Sequence, residues 1–400
     1  MAELIEVPLG IDDFDVVRSE LAGDVLEVHV QSTFPLACWH CGSTAVRGHG
    51  WCQRRIRDLA VGRTTVLVWR QRRLRCEDCG RTSRERHLEV PERRRVTRRF
   101  QRHLFERARK QPFAEVAAHE HVSHWRVVDA FDIHSTEAPG PGTPRVLAMD
   151  ESSFQKRFNF YTALFAPEQR RILDAVHGRS KASAEALLWR LPADVRAGVE
   201  TVVIDCYWPF RKAIEAVLPH ARVVADRFHV CRSVDGAAAR VRMRYGRRSY
   251  WRGRDGGTSR QHNPRNDPEV TKLRWVFAGR RHHLDDDQLA QLGQVFARFP
   301  EIGVAWWMKE AFSAIYEAGT RAEGQRRLEV WEANLEAANL EELTNAWRNL
   351  SSWREEILAY FIDRQTNAFA EGTTNKIKVM KRRAYGFRNH DRYRRKIIHC

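Results

Sequence analysis

Two short cysteine pairs constrain this chain more than any other feature. Cys38 and Cys41 stand in CWHCG, and Cys76 and Cys79 stand in CEDCG. Each is C-x-x-C followed by Gly, a knuckle that aims two thiolates at one point. Between and before the pairs lie DVLEVHVQST and RTTVLVWRQRRLR, which alternate in β fashion. Two such knuckles on short hairpins make a closed four-cysteine site, and for zinc such a site is structural. One structural zinc ion on Cys38, Cys41, Cys76 and Cys79 is therefore expected, with Cys52, His40, His49 and His87 as substitute ligands. The plainer reading, four unrelated buried thiols, does not account for two pairs at this spacing. Cys206, Cys231 and Cys400 are isolated and read as packing or terminal residues.

The charge balance points to a partner. The chain has 400 residues, a formal net charge of +17 and 43% hydrophobic residues. That length corresponds to two to four domains. A balance this basic favours a polyanion, because each Lys or Arg on a phosphate releases condensed counterions. No apolar run is long enough to span a bilayer, and MAELIEVPLGIDDFD does not read as a signal peptide. A cytoplasmic, nucleoid-associated location is expected, with no membrane partner. Thiols stay reduced there, and grouped cysteines bind metal.

After the second knuckle comes a basic arm, ERRRVTRRFQR, Glu92 to Arg102. A charge run usually marks a solvated helix face. Here it precedes FAEVAAHEHVSHWRVVDAF, which reads as helix, short turn at HVS, then helix, with Ser123 as N-cap of the second. That is the pattern of a helix-turn-helix, whose second helix enters a major groove; the alternative is a helical hairpin linking two domains. Arg93, Arg94, Arg95, Arg98, Arg99, Ser123, His124 and Arg126 are the expected DNA-binding residues. APGPGTP then reads as a linker.

From Pro144 the pattern becomes mixed α/β. VLAMDESS, FNFYTALFAP and RRILDAVHG read as strands, KASAEALLWRL as helix, ETVVIDCY as strand, WPFRKAIEAVL as helix, and ARVVADRFHV as a strand leading into a helix. This is the order of a ribonuclease-H-like fold: an antiparallel meander, then crossovers that add parallel strands. Right-handed crossovers place the fourth strand beside the first, so Asp150 and Asp205 become neighbours. Adjacent carboxylates repel unless one is protonated or a cation lies between them. Two Mg²⁺ (or Mn²⁺) ions clamping an in-line phosphoryl displacement would use such a pair. Taken singly, each is an ordinary strand-end acid. Asp226 ends the next strand, with His229 three residues on; it competes with Asp205 for the place of second ligand, but Asp205 ends the strand expected beside the first, so Asp226 and His229 are expected to pair and brace the site.

Residues from about 267 to 364 read as helix, and six tryptophans there read as bundle core, although a Trp can also stack on an unpaired base. RVRMRYGRRSYWRGRDGGTSRQHNPRN, Arg240 to Asn266, reads as a basic loop. Then comes TNAFAEGTTNKIKVMKRR, where one acid, Glu371, heads a basic run. Alone, Glu371 reads as a helix N-terminal acid favoured by the macrodipole. Beside two acids that lack a third, it reads as the remaining metal ligand, with Lys376, Lys378, Lys381, Arg382 and Arg383 holding the DNA backbone.

Together CWHCG with CEDCG, AMDESS, VVIDCYWPFRKAI, PHARVVADRFHV and TNAFAEGTTNKIKVMKRRAYGFRNHDRYRRKI resemble transposases of the ISL-three family of bacterial insertion sequences. The likeness runs from about Cys38 to the C-terminus. It implies an Asp, Asp, Glu triad, matching Asp150, Asp205 and Glu371, and a D-x-x-H pair, matching Asp226 and His229. Trp39 stands where a Pro is usual, and FQKRFNFY replaces a more basic turn; neither removes a ligand.

The expected fold is multidomain α+β and α/β. A zinc-ribbon DNA-binding domain spans 1–90, an arm and helix-turn-helix 91–137, and a linker 138–144. The ribonuclease-H-like catalytic core spans 145–240 and 365–400, interrupted by a basic loop and all-helical insertion at 241–364. The expected function is a DNA transposase. It would bind terminal inverted repeats, cut at the element ends and join the 3′-hydroxyls to target DNA. The family implies at least a homodimer on double-stranded DNA. The rivals are a catalytically inactive DNA-binding regulator descended from a transposase, and a structure-specific nuclease of the same fold.

Overall fold

The computed structural model describes residues 9–136, 140–155, 159–246 and 267–400. The basic loop therefore lies largely outside the described residues, as does the start of the linker. The chain divides into two compact units: Met1–Ala138 with Val379–Cys400, and Pro139–Lys378.

The first unit opens with strands β1 (Phe14–Ala22), β2 (Val25–Ser32), β3 (Val46–Val61), β4 (Arg63–Cys76) and β5 (Thr82–Arg84). They form one sheet in the order β1-β2-β4-β3, with β5 also on β4. The hairpin carrying the knuckles is not short: β3 has 16 residues and β4 has 14. Its apolar face, with Ile56, Leu67 and Trp69, packs on Val28 and Val30 of β2. Helices α1 (Arg98–Lys110), α2 (Phe113–His119) and α3 (His124–His134) follow. Phe100, Leu104, Val116, Val127 and Phe131 form their shared core. The turn between α2 and α3 passes through His121, whose φ is 51°.

The second unit holds β6 (Val146–Gln155), β7 (Asn159–Ala166), β8 (Arg171–His177), α4 (Lys181–Trp189), α5 (Ala193–Ala197), β9 (Thr201–Ile204), α6 (Trp208–Val217), β10 (Arg222–Ala225) and α7 (Arg227–Met243). The sheet order is β10-β9-β6-β7-β8. β6, β7 and β8 are antiparallel neighbours, while β9 joins β6, and β10 joins β9, in parallel. The start of β6 and Val202, Val203 and Ile204 of β9 are continuous buried apolar runs, as strands covered on both faces must be. An all-helical stretch follows: α8 (Pro268–Lys272), α9 (Arg274–Ala278), α10 (Asp286–Arg298), α11 (Pro300–Ile315), α12 (Arg321–Ala338), α13 (Glu341–Leu350) and α14 (Arg354–Asp363). Trp306, Trp331, Trp347 and Trp353 are buried here, whereas Trp275 and Trp307 are exposed. Two of the six tryptophans expected in the core are thus at the surface, each with an arginine over its ring.

Last come α15 (Ala368–Arg383) and α16 (His390–Ile398). The division between the two compact units falls within α15, after Lys378. The reason is burial. Tyr393 and Ile397 of α16 are buried, Lys396 donates to the Gln111 carbonyl at 2.8 Å, and Arg392 and Arg395 clasp Asp132 of α3. Among the described residues no helix is long and apolar enough to cross a membrane.

Candidate functional site

Both knuckles close as the spacing requires. Gly42 and Gly80, one residue past each pair, have φ of 78° and 67°, a conformation that L side chains rarely adopt. The Cys38 and Cys79 sulfurs are 3.6 Å apart, as are those of Cys41 and Cys76. A tetrahedral zinc with bonds near 2.3 Å separates its sulfurs by roughly 3.8 Å, so these four thiols fit a structural zinc ion. Two of the four proposed substitutes stand elsewhere: His87 bonds the Asp12 carbonyl, and Cys52 faces Gln71.

In the second unit, β6 carries Asp150, and Asp205 follows directly after β9, its parallel neighbour. Asp226 caps the N-terminus of α7 and accepts from the His229 N–H. Its other oxygen accepts from the Asn367 N–H at 3.1 Å, just before α15. Glu371 lies in the first turn of α15, with Thr374 and Lys378 one and two turns on.

Three of these segments, those of Asp205, Asp226 and Glu371, meet at His229. Its Nδ1 lies 2.9 Å from Asp226 Oδ2 and 2.9 Å from Asp205 Oδ1, and its Nε2 lies 3.7 Å from Glu371 Oε1. Nδ1 donates to Asp226. Asp205 Oδ1 is buried and, off the N–H direction, has no hydrogen-bond partner. The tightest group is Asp205, Asp226 and His229, whose ligand atoms all lie within 4.8 Å of one another. Asp150 and Glu371 are outside that group. Asp150 is held by the Thr374 hydroxyl and by the Glu151 N–H at 2.7 Å.

The electrostatics describe a site with too many carboxylates for its cations. Burial raises the Asp150 carboxyl above the usual carboxylate range, and Asp205 raises it further. Burial likewise raises Glu371, with Asp226, Asp150 and Asp205 adding to it. Burial works against the His229 imidazolium, but Asp205 and Asp226 outweigh it and hold its pKa up to about 10. The ring is thus a cation among acids. Clustered oxygen donors and raised carboxyls fit a hard divalent cation such as Mg²⁺ or Mn²⁺.

Three residues here were not anticipated. Glu151 sits beside Asp150, its carboxyl also raised by burial, with Oε2 buried and without a partner. Arg179 reaches its Oε1 at 3.2 Å and lies over the rings of Phe160 and Tyr207. Thr374 holds Asp150. The i, i+3, i+7 spacing of Glu371, Thr374 and Lys378 was a readable signal; for Arg179 there was none beyond its position after Gly178.

The expected DNA-binding residues divide. Arg99 donates to buried Asp58 at 2.8 Å and to the Gly10 carbonyl. Arg98 donates to the Leu88 carbonyl, Arg94 pairs with Asp129, and Arg383 pairs with Glu115. These four are engaged within the first unit. Arg93, Arg95, Arg382, Ser123 and His124 are exposed there, and Lys381 is partly buried. Ser123 occupies the N-cap position, but its side chain makes no cap bond. Arg126 is half-buried; burial lowers its pKa, and Arg94 and Arg95 lower it further, so three guanidiniums crowd together. Lys376 and Lys378 are exposed on α15 in the second unit.

Comparison with known proteins gives three family matches in chain order. Residues 35–79 match the zinc finger of the transposases of IS204, IS1001, IS1096 and IS1165. Residues 89–134 match the helix-turn-helix domain of transposase family ISL3, and residues 147–397 match the transposase domain of that family. The chain is also 26% identical over 405 residues to the transposase for insertion sequence element IS1001 of Bordetella parapertussis, covering 99% of this chain and 97% of that protein.

Proposed function

The chain belongs to the ISL3 family of transposases, and from that premise we propose that it cuts DNA at the ends of an insertion sequence and joins the 3′-hydroxyl ends to target DNA. Asp150, Asp205 and Glu371 are the proposed catalytic acids, with Asp226 and His229 supporting them. The observation that carries this reading is the meeting of Asp205, Asp226 and Glu371 at His229, with Asp150 tied to the helix of Glu371 through Thr374. The strand order, two parallel strands on an antiparallel meander, supports a ribonuclease-H-like core. Helices α8 to α14 would be its insertion.

Asp150, Asp205 and Glu371 would hold two Mg²⁺ or Mn²⁺ ions. When bound, these would make water a stronger nucleophile and offset charge on the attacking and leaving oxygens. Asp226 fixes the ring of His229, and His229 keeps Asp205 and Glu371 facing one another. Thr374 holds Asp150 in place, and Arg179 fixes Glu151. Lys376 and Lys378, on the helix of Glu371, would steady the entering backbone. In the first unit, the ribbon and helix-turn-helix would recognise the terminal repeats, phosphate contacts giving affinity and base edges specificity. Two ends held together would require at least a dimer.

The test is a duplex ending in the element's terminal repeat, incubated with Mg²⁺ or Mn²⁺. Asp150→Asn, Asp205→Asn and Glu371→Gln should each cut about a thousandfold more slowly, the scale of losing a group that acts in the transition state, while binding is retained. Equal cutting by these variants refutes the site. Specific binding with no cutting under either metal favours the inactive regulator.

A further inference from the structure

The far half of the β3–β4 ribbon sets arginines against arginines. Arg47 stands directly opposite Arg75, and Arg73 directly opposite Arg84 on β5. Directly opposed residues of antiparallel strands project to one side, and alternate residues of a strand share a face. All four guanidiniums therefore share a face. All four are exposed, whereas Leu74 and Cys76 on the opposite face are buried. Like charges directly opposed destabilise a sheet, and here two such pairs lie about 6.6 Å apart along the strand. Among the described residues none of the four has a carboxylate partner.

The row runs into a cleft of about 550 Å³ lined by Arg54, Arg73, Arg84, Arg86 and Arg93, with Trp39 on its wall. Its two acids are already used: Glu85 is bound by Arg72, and Glu92 by Arg86. Arg54 on its floor is depressed below the ordinary arginine range by burial and then by Arg84 and Arg95.

We propose that this arginine face is a docking surface for the phosphate backbone of duplex DNA, carried by the ribbon strands and not by α2 or α3, and reading no bases. An anion lying across opposed guanidiniums relieves their repulsion, and a phosphate brings a full charge where base edges offer only partial ones. An unpaired strand would need open aromatic platforms. The two exposed tryptophans nearby, Trp39 and Trp51, each carry a guanidinium on the ring, 4.5 Å from its centroid. The proposal rests on the DNA-binding part of the function above and not on the catalytic part.

The test uses the full chain and fluorescence anisotropy, with one duplex carrying the terminal repeat and one scrambled, across a salt series. Arg73→Gln with Arg84→Gln, and separately Arg47→Gln with Arg75→Gln, should weaken both duplexes by the same factor. Each pair should flatten the slope of log K against log salt by about 1 to 2. The corresponding Arg→Lys pairs should keep the slope, and zinc content should be unchanged in all. Unchanged affinity and slope overturn the proposal, as does a loss confined to the repeat-bearing duplex. An Asp150→Asn chain that still cuts would sink the catalytic reading and leave this slope measurement untouched.

Discussion

His229 and Asp226 show how much one side chain can be asked to do. Asp226 caps α7, receives the Asn367 N–H and orients the imidazole. Replacing it by Ala removes a cap, worth about 1 kcal/mol, and strands a buried donor, worth about 1–3 kcal/mol. Asp226→Ala should lose about 2–4 kcal/mol in urea unfolding, even without metal. Lys396 gives a pH signature in the other unit. It is fully buried, and burial lowers its pKa to about 7 from the ordinary 10.5. Between those values the unfolded chain binds more protons than the folded one, so stability rises with pH across that window. In Lys396→Met that rise in the unfolding midpoint of the first unit should vanish. The candidacy of the three acids was legible because each ends an apolar run or heads a basic one. Arg179 was not, because its meaning depends on how Gly178 turns the chain toward Glu151.

At the level of elements, close approach decides which positions tolerate change. Gly324 of α12 lies against Phe361 of α14, where an added Cβ would clash with the ring. Gly324→Val should cost about 1–3 kcal/mol by overpacking. Gly293 in α10 has open space around it, so Gly293→Ala should stabilise by about 1 kcal/mol through helix propensity. Thermal unfolding of both variants checks the contrast. The meander and crossovers of the second unit could be read from apolar runs of the right length. Strand β3 could not: VRGHGWCQRRIRDLAV is polar and glycine-broken, and it is a strand because β4 offers a full partner edge. Helix α5 is only five residues, too short for a period to register.

For the whole molecule, the order of zinc ribbon, helix-turn-helix and transposase domain was legible from motifs alone. The packing of the last helix was not. HDRYRRKII looks like a solvated basic helix, yet it buries Tyr393, Lys396 and Ile397 against the core of the first unit. Only the complementary acid, Asp132, and the free carbonyl of Gln111 reveal that, and neither is near α16 in sequence. The central claim is that Asp150, Asp205 and Glu371 form one divalent-cation centre although they are scattered across more than two hundred residues. Iron-mediated cleavage of the polypeptide addresses it directly: Fe²⁺ with ascorbate and peroxide cuts backbone beside the bound ion, and mass spectrometry maps the cuts. The account predicts cuts around Asp150, around Asp205 to Asp226 and around Glu371, all suppressed together by Mg²⁺. Cuts confined to one of these segments, or indifferent to Mg²⁺, would contradict it.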